Sequence, residues 1–137
     1  MVLRLQTFLF ADLVGFTELT SLRGDDEAAE LAISFHGYVS ELARGILGLA
    51  RAGGLPPVRV GLDTGPAVER DGDWFGATVN TASRVTAAAG TGELLMTERT
   101  RNAAAGVGGL ELTARGQHRL KGLPEQALFG EPPRSRG

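Results

Sequence analysis

Cysteine is absent from the 137-residue sequence, lysine occurs once, and tryptophan and tyrosine occur once each. Without thiols there is no disulfide framework and no thiolate metal site, which suits a reducing compartment. Neither charge sign dominates: 14 Lys and Arg stand against 16 Asp and Glu, a net charge of −2. The basic footprint of a general nucleic-acid or anionic-membrane binder is therefore missing. Long apolar runs are missing too. Near the start, Phe8-Leu9-Phe10-Ala11 is closed at once by Asp12, far short of the roughly 20 residues that cross a bilayer and too short for a secretory signal. These absences predict a cytoplasmic protein with neither a nucleic-acid nor a membrane partner. The length fits one domain and excludes two.

Glycine is abundant instead, 20 residues, about twice its usual share of roughly 7%, so many turns and close backbone approaches are expected. The single lysine, Lys121, stands against 13 arginines; taken alone it reads as an exposed turn residue.

The pattern from Leu3 to Ala11 predicts a strand buried at its far end, with Asp12 at the strand terminus. Val14-Gly15-Phe16-Thr17 opens a helical pattern, and Gly24 with Asp25 and Asp26 gives a break and a new helix start. From Ala28, residues Leu31, Ala32, Phe35, Val39 and Leu42 recur at the spacing of one buried helix face. Arg44-Gly45 is expected to interrupt that helix, and Gly53-Gly54-Leu55-Pro56-Pro57 to end the region. Val58 to Leu62 and Pro66 to Arg70 read as a hairpin, with turns at Asp63-Thr64-Gly65 and Asp71-Gly72. Gly76 to Ala89 is a helix stopped by Gly90-Thr91-Gly92. Leu94 to Thr97 is a strand, Thr100 to Ala105 a short helix, and Leu110 to Thr113 and Gln126 to Phe129 the last strands. Interleaved helices and strands give an α+β fold over residues 1–130, followed by a disordered tail at 131–137.

Three segments carry a resemblance. The first is Phe8-Leu9-Phe10-Ala11-Asp12-Leu13-Val14-Gly15-Phe16-Thr17. The second runs from Val58-Arg59-Val60-Gly61-Leu62 through Asp73-Trp74-Phe75-Gly76 and Thr78-Val79-Asn80-Thr81-Ala82-Ser83-Arg84 to Gly92-Glu93-Leu94-Leu95. The third is Arg115-Gly116-Gln117-His118-Arg119-Leu120-Lys121-Gly122-Leu123, closed by Leu128-Phe129. In this order they resemble the class III nucleotide cyclases, the adenylate and guanylate cyclase catalytic domains, and they cover most of the chain.

The resemblance implies a ferredoxin-like cyclase fold and conversion of a nucleoside triphosphate to a 3′,5′-cyclic monophosphate and pyrophosphate. Such chemistry builds negative charge on phosphate and uses two metal ions, Mg²⁺ or Mn²⁺, held by carboxylates. Asp12 matches a metal ligand of the family, and the Leu13 carbonyl a second donor. The backbone amides of Val14, Gly15, Phe16 and Thr17 at a helix start match its phosphate-binding turn. Asn80 and Arg84, four apart on one helix face, match the ribose-orienting asparagine and the arginine that stabilises the α-phosphate in the transition state. Lys121 matches a triphosphate contact. Asp73 matches an adenine contact that favours ATP over GTP, while Asp71-Gly72-Asp73 also has the composition of a plain turn.

The sequence departs from the family near residues 43–53. Between the first long helix and the strand at Val58 the family places a β-hairpin and most of a second helix, and the hairpin's Gly-Asp turn carries the second metal aspartate. No Gly-Asp turn lies between Gly37 and Pro57, so the fold is expected to be truncated in its middle and the two-metal site incomplete. Family sites lie between two subunits. This implies a homodimer, or a heterodimer with another cyclase domain, in which this chain contributes Asn80, Arg84, Lys121 and Asp73. The competing reading is a catalytically silent relic acting as a dimerisation or regulatory module. A third comes from Leu62-Asp63-Thr64-Gly65, which mimics the Asp-Thr-Gly of dimeric aspartic proteases but sits in a chain with too much helix for that fold.

Overall fold

The computed structural model describes residues 16–56, 58–103 and 112–131. The expected first strand, Leu3 to Ala11, and residues Asp12, Leu13, Val14 and Gly15 lie outside the described residues. Helix α1, Phe16–Arg23, is followed immediately by α2, Asp25–Ala52. Gly24 makes the corner with a φ of 86°, and its carbonyl accepts the Ala28 amide. Three acidic residues, Asp25, Asp26 and Glu27, occupy the first turn of α2, where the positive end of the helix dipole favours them.

The break expected at Arg44-Gly45 does not occur, because α2 runs unbroken for 28 residues. An interior glycine costs only about 1 kcal/mol relative to alanine. Ala43 packs in a cluster with Leu94 and Met96, with Leu47 against it, which holds the helix on both sides of Gly45. The buried face also differs from the expected one. Ala28, Gly37, Ser40, Ala43 and Ala50 face inward, whereas Leu31 and Leu42 are exposed. Small residues let α2 lie close to the sheet, a requirement that hydrophobic periodicity does not register.

The main sheet has the order β1-β4-β6-β5. Strand β1 is Val60–Leu62, β4 Leu94–Thr97, β5 Thr113–His118 and β6 Gln126–Gly130. β1 runs parallel to β4, and β6 is antiparallel to both β4 and β5. The expected hairpin between Val58–Leu62 and Pro66–Arg70 is corrected: the second segment pairs onward instead. β2, Val68–Arg70, meets β3, Asp73–Phe75, around Asp71-Gly72 in a separate two-stranded ribbon. Asp71 and Gly72 both have positive φ, 54° and 83°, the backbone of a tight hairpin turn. In β5 an extra residue between Ala114 and Gln117 forms a bulge at Gly116, φ 82°.

The fully buried strand β4 divides the core. Leu94 and Met96 face α2, together with Val60, Leu62 and Phe129, while Leu95 faces helix α3, Ala77–Ala88, with Val85, Ala89, Leu120 and Leu128. This period-two alternation across a sheet covered on both sides puts helices on either face. Helix α4, Glu98–Ala103, follows β4 directly. At the far end Glu131, assigned by the sequence to the tail, is held by Arg44 at 3.1 Å.

Gly61 sets the distance between β1 and α3. A Cβ there would stand 2.3 Å from the Thr86 amide nitrogen and 2.6 Å from its Cα, and those backbone atoms cannot rotate away. Gly61→Ala should therefore destabilise the fold by about 1–3 kcal/mol, the range for overpacking, read as a lowered midpoint in urea.

On α2, burial holds the His36 imidazole below the usual histidine range, with the Phe35 ring edge-on at 5.2 Å. The unfolded chain then takes up the proton first as pH falls through about 6.5. Stability should decline as pH drops from there toward the lower folded-state value. His36→Gln should flatten that slope in thermal melts.

Candidate functional site

Helix α3 presents two faces. Thr81 and Val85 are buried, whereas Asn80 and Arg84, one turn apart, are exposed. Among the described residues neither side chain has a partner, so an uncompensated guanidinium and a free amide leave one helix face together. Asp73 opens β3, exposed and opposite Arg70 in the ribbon. It is joined to α3 through Trp74, Phe75 and Gly76, whose φ of 129° turns the chain into the helix. Lys121 sits exposed in the turn after β5. Its neighbour Leu120 shares the buried cluster of Val85, the residue after Arg84, so this turn lies on the same layer of the domain as α3.

Phe16 and Thr17 open α1, and of the expected phosphate-binding turn only their helical placement is described. Asp12, Leu13, Val14 and Gly15 lie outside the described residues. Among the described residues no three His, Asp or Glu side chains converge as a cation site.

Asp63 has a different role from the protease one its motif suggested. Its side chain is 0% exposed and accepts hydrogen bonds from Thr97 Oγ1 at 2.7 Å, Arg99 Nε at 2.8 Å and Arg99 Nη2 at 2.5 Å. The hydrogen bond and charge of Asp63 hold the Arg99 guanidinium above its ordinary range, against a smaller opposing effect of burial. Both carboxylate oxygens are engaged, which leaves no protease dyad member and no vacant metal ligand. Thr97, Thr100 and Thr64 continue the hydroxyl chain, and Arg99 also reaches Thr78 Oγ1 at 3.4 Å. Thr78 in turn donates to the Pro66 carbonyl at 2.7 Å. Gly65 lies underneath, where a Cβ would meet Thr78 Oγ1 at 2.6 Å and the Arg99 guanidinium at 2.9 Å. This network ties the ends of β1 and β4 to the first turn of α3, two residues before Asn80. Sequence reading missed Arg99, since nothing in Glu98-Arg99-Thr100 marks a partner 36 positions away; an aspartate directly after the apolar Val60-Gly61-Leu62 was the available signal.

A cleft between α2 and the Gly90-Thr91-Gly92 turn is lined by Arg44, Arg51, Glu93 and Arg115. It shares no residue with Asn80, Arg84, Asp73 or Lys121. Its charge is largely matched internally: Arg44 meets Glu131, and Arg115 approaches Glu93 at 4.0 Å.

The family described as the adenylate and guanylate cyclase catalytic domain matches residues 53–130, the span that contains Asp73, Asn80, Arg84 and Lys121. The chain belongs to this family. The cyclase domain is 32% identical over 126 residues to the pH-sensitive adenylate cyclase MT1302 of Mycobacterium tuberculosis, covering 71% of this chain and 32% of that protein. An adenylate cyclase of Streptomyces griseus is 36% identical over 110 residues, covering 58% and 28%. The chain thus spans about a third of the length of these relatives. The first match runs over 126 residues while using 71% of this chain's 137, so it includes positions with no counterpart here. Among solved structures, the adenylyl cyclase CyaB of P. aeruginosa aligns with a TM-score of 0.40 at 24% identity, over 52% of this chain and 38% of that one. Adenylate cyclases of Trypanosoma brucei align with a TM-score of 0.43 at 17% identity, over 81% and 61%. No helix among the described residues is long and apolar enough to cross a membrane.

Proposed function

We propose that this cyclase domain supplies one half of a two-subunit site that converts ATP to cyclic AMP and pyrophosphate. The observation that carries the reading is the Asn80 and Arg84 pair, exposed on one face of α3 and without a partner among the described residues. In this role Asn80 orients the ribose so that its 3′-hydroxyl lies in line with the α-phosphorus. Arg84 donates to the α-phosphate oxygens where charge develops, Lys121 neutralises the outer phosphates, and Asp73 accepts from the adenine amino group, which selects ATP over GTP. When bound, Mg²⁺ or Mn²⁺ would supply charge neutralisation at the phosphates. In that half-site the partner's two aspartates would hold it; Asp12 and the Leu13 carbonyl of this chain, with the amides of Val14, Gly15, Phe16 and Thr17 on the phosphates, are the residues proposed to hold it at the second, incomplete site of the pair.

The same reading predicts failure of the chain alone. Helix α2 is continuous from Asp25 to Ala52, leaving no hairpin in that span to carry a second aspartate beside Asp12. One carboxylate holds two closely spaced cations poorly. Incubated alone with ATP and Mg²⁺ or Mn²⁺, the chain should form little cyclic AMP. Mixed with a cyclase domain that keeps both aspartates but lacks its own arginine, it should restore turnover. Robust turnover by the chain alone, abolished in Asp12→Ala, would replace the half-site with a complete homodimeric site. Association of the two chains without turnover would favour the regulatory relic.

A further inference from the structure

The turn after β5 carries a second cation beside Lys121. The β5–β6 ladder ends at His118 opposite Gln126, and His118 Nε2 donates to the Arg115 carbonyl at 2.8 Å. Leu120 is 6% exposed in the cluster of Val85 and Leu128, and Leu123 packs against the same cluster. The Leu120 carbonyl accepts the Leu123 amide at 3.0 Å, and Gly122 takes the positive φ of 74° that such a β-turn gives its third residue. The backbone is thus anchored at Leu120 and Leu123, while Arg119 and Lys121, on either side of Leu120, are exposed. Among the described residues neither cation has a hydrogen bond or an ion pair, and neither does Glu125, the acid nearest in sequence. Two residues apart along the chain, their Cα atoms are about 7 Å apart, and like charges so placed repel one another. Arg84, also without a partner, directly precedes Val85 of the same cluster. Three uncompensated cations therefore flank one apolar cluster.

We infer that Arg119 is a second contact to the outer phosphates of the nucleotide, beside Lys121. The inference rests on the half-site reading for the nucleotide and on the anchored turn for the phosphates. A polyphosphate relieves the repulsion between the two cations, which no carboxylate of the turn does. The two side chains are also complementary, since Lys121 offers a point charge and Arg119 a planar fork that bridges two oxygens. Because Leu120 and Leu123 hold the backbone, binding orders the side chains alone, and the pair is preorganised. Arg119 and Lys121 at the outer phosphates, with Arg84 at the α-phosphate, grade nucleotides by phosphate count. A triphosphate meets all three cations, whereas a cyclic monophosphate product meets Arg84 only. Arg119 acts on oxygens already ionised in the bound substrate, so its removal should appear in KM more than in kcat.

Inorganic tripolyphosphate, the phosphate part of the substrate alone, tests this on the whole chain without a partner or a nucleotide. Calorimetric titration should show saturable binding that weakens about tenfold in Arg119→Gln and in Lys121→Gln, the loss expected for one charge-assisted hydrogen bond. Arg119→Lys should keep most of the affinity. Arg51→Gln, which removes an exposed charge on α2, should leave binding unchanged. Arg119→Gln should unfold in urea at the parent's midpoint, because the exposed side chain has no partner to lose. In the mixed assembly it should raise KM for ATP by a similar factor with kcat nearly unchanged. Binding that is absent in the parent, unmoved by Arg119→Gln, or weakened equally by Arg51→Gln would overturn the inference, the last because any surface charge would then serve. An unchanged KM in an assembly that turns over would overturn it too, while leaving the half-site reading intact. Weakened tripolyphosphate binding alongside an assembly that makes no cyclic AMP would uphold Arg119 as a phosphate contact while the half-site reading fails.

Discussion

Arg84→Ala, introduced into this chain and mixed with a cyclase domain that has both metal aspartates but no arginine of its own, should lower the restored cyclic AMP formation by about 10²–10³, the usual loss when a preorganised donor to developing charge is removed. The magnitude follows from what Arg84 faces. It is exposed on α3 with no carboxylate partner among the described residues, so its charge is available to a phosphate and is not spent inside the domain. Asn80→Ala should act through orientation and lower kcat in the same assembly. Asp12→Ala in this chain should leave the rescue nearly unchanged, because the partner supplies both aspartates. That contrast separates a half-site from a complete one. If Asp12→Ala and Arg84→Ala are equally damaging, the restored activity draws on both residues of this chain and the half-site division fails.

The residues with the strongest local signals were legible in the sequence. The α3 segment, bounded by Gly76 and Gly90, and the apolar strand β4 are specified by neighbours in the chain, and both form within one residue of their expected limits. Pairing was less legible. Val60–Leu62 and Val68–Arg70 have turn residues between them, which suits a hairpin, but β1 instead finds Leu94–Met96 in parallel. Parallel pairing is a non-local choice, made possible here by Gly61, which admits the backbone of Thr86 where any Cβ would collide. The continuity of α2 was hidden for a related reason. Arg44-Gly45 is a weak point of helix propensity, and the packing of Ala43 and Leu47 on the sheet outweighs a penalty of about 1 kcal/mol. The periodicity that selected Leu31, Phe35 and Leu42 for the core could not register that the helix packs through its small residues instead, with Leu31 and Leu42 exposed. In the candidate site, Asn80 and Arg84 were readable because four residues make one helical turn. Arg99 was not, because its significance depends wholly on Asp63, 36 positions earlier.

Arg99→Ala should be the most destabilising single side-chain truncation among the described polar residues, at about 3 kcal/mol, the lower end of the 3–5 kcal/mol typical when one member of a buried ion pair is removed. Asp63 is fully buried while Arg99 is half exposed. The truncation therefore strands a carboxylate out of water, whereas Asp63→Ala frees a guanidinium that solvent can reach. Thr97 Oγ1 would still donate to Asp63, which is why the lower end applies. The two truncations should be strongly non-additive: the Asp63→Ala, Arg99→Ala double variant should be more stable than Arg99→Ala alone, since the stranded charge is gone. Urea melts of the four chains measure this cycle. The consequence extends to the site, because Arg99 also contacts Thr78 in the first turn of α3 and Thr78 is tied to Pro66. In the mixed assembly, the double variant should therefore recover stability without recovering full turnover, the signature of a network that positions Asn80 as well as holding the fold. If turnover returns in step with stability, the network is purely structural and α3 finds its place without it.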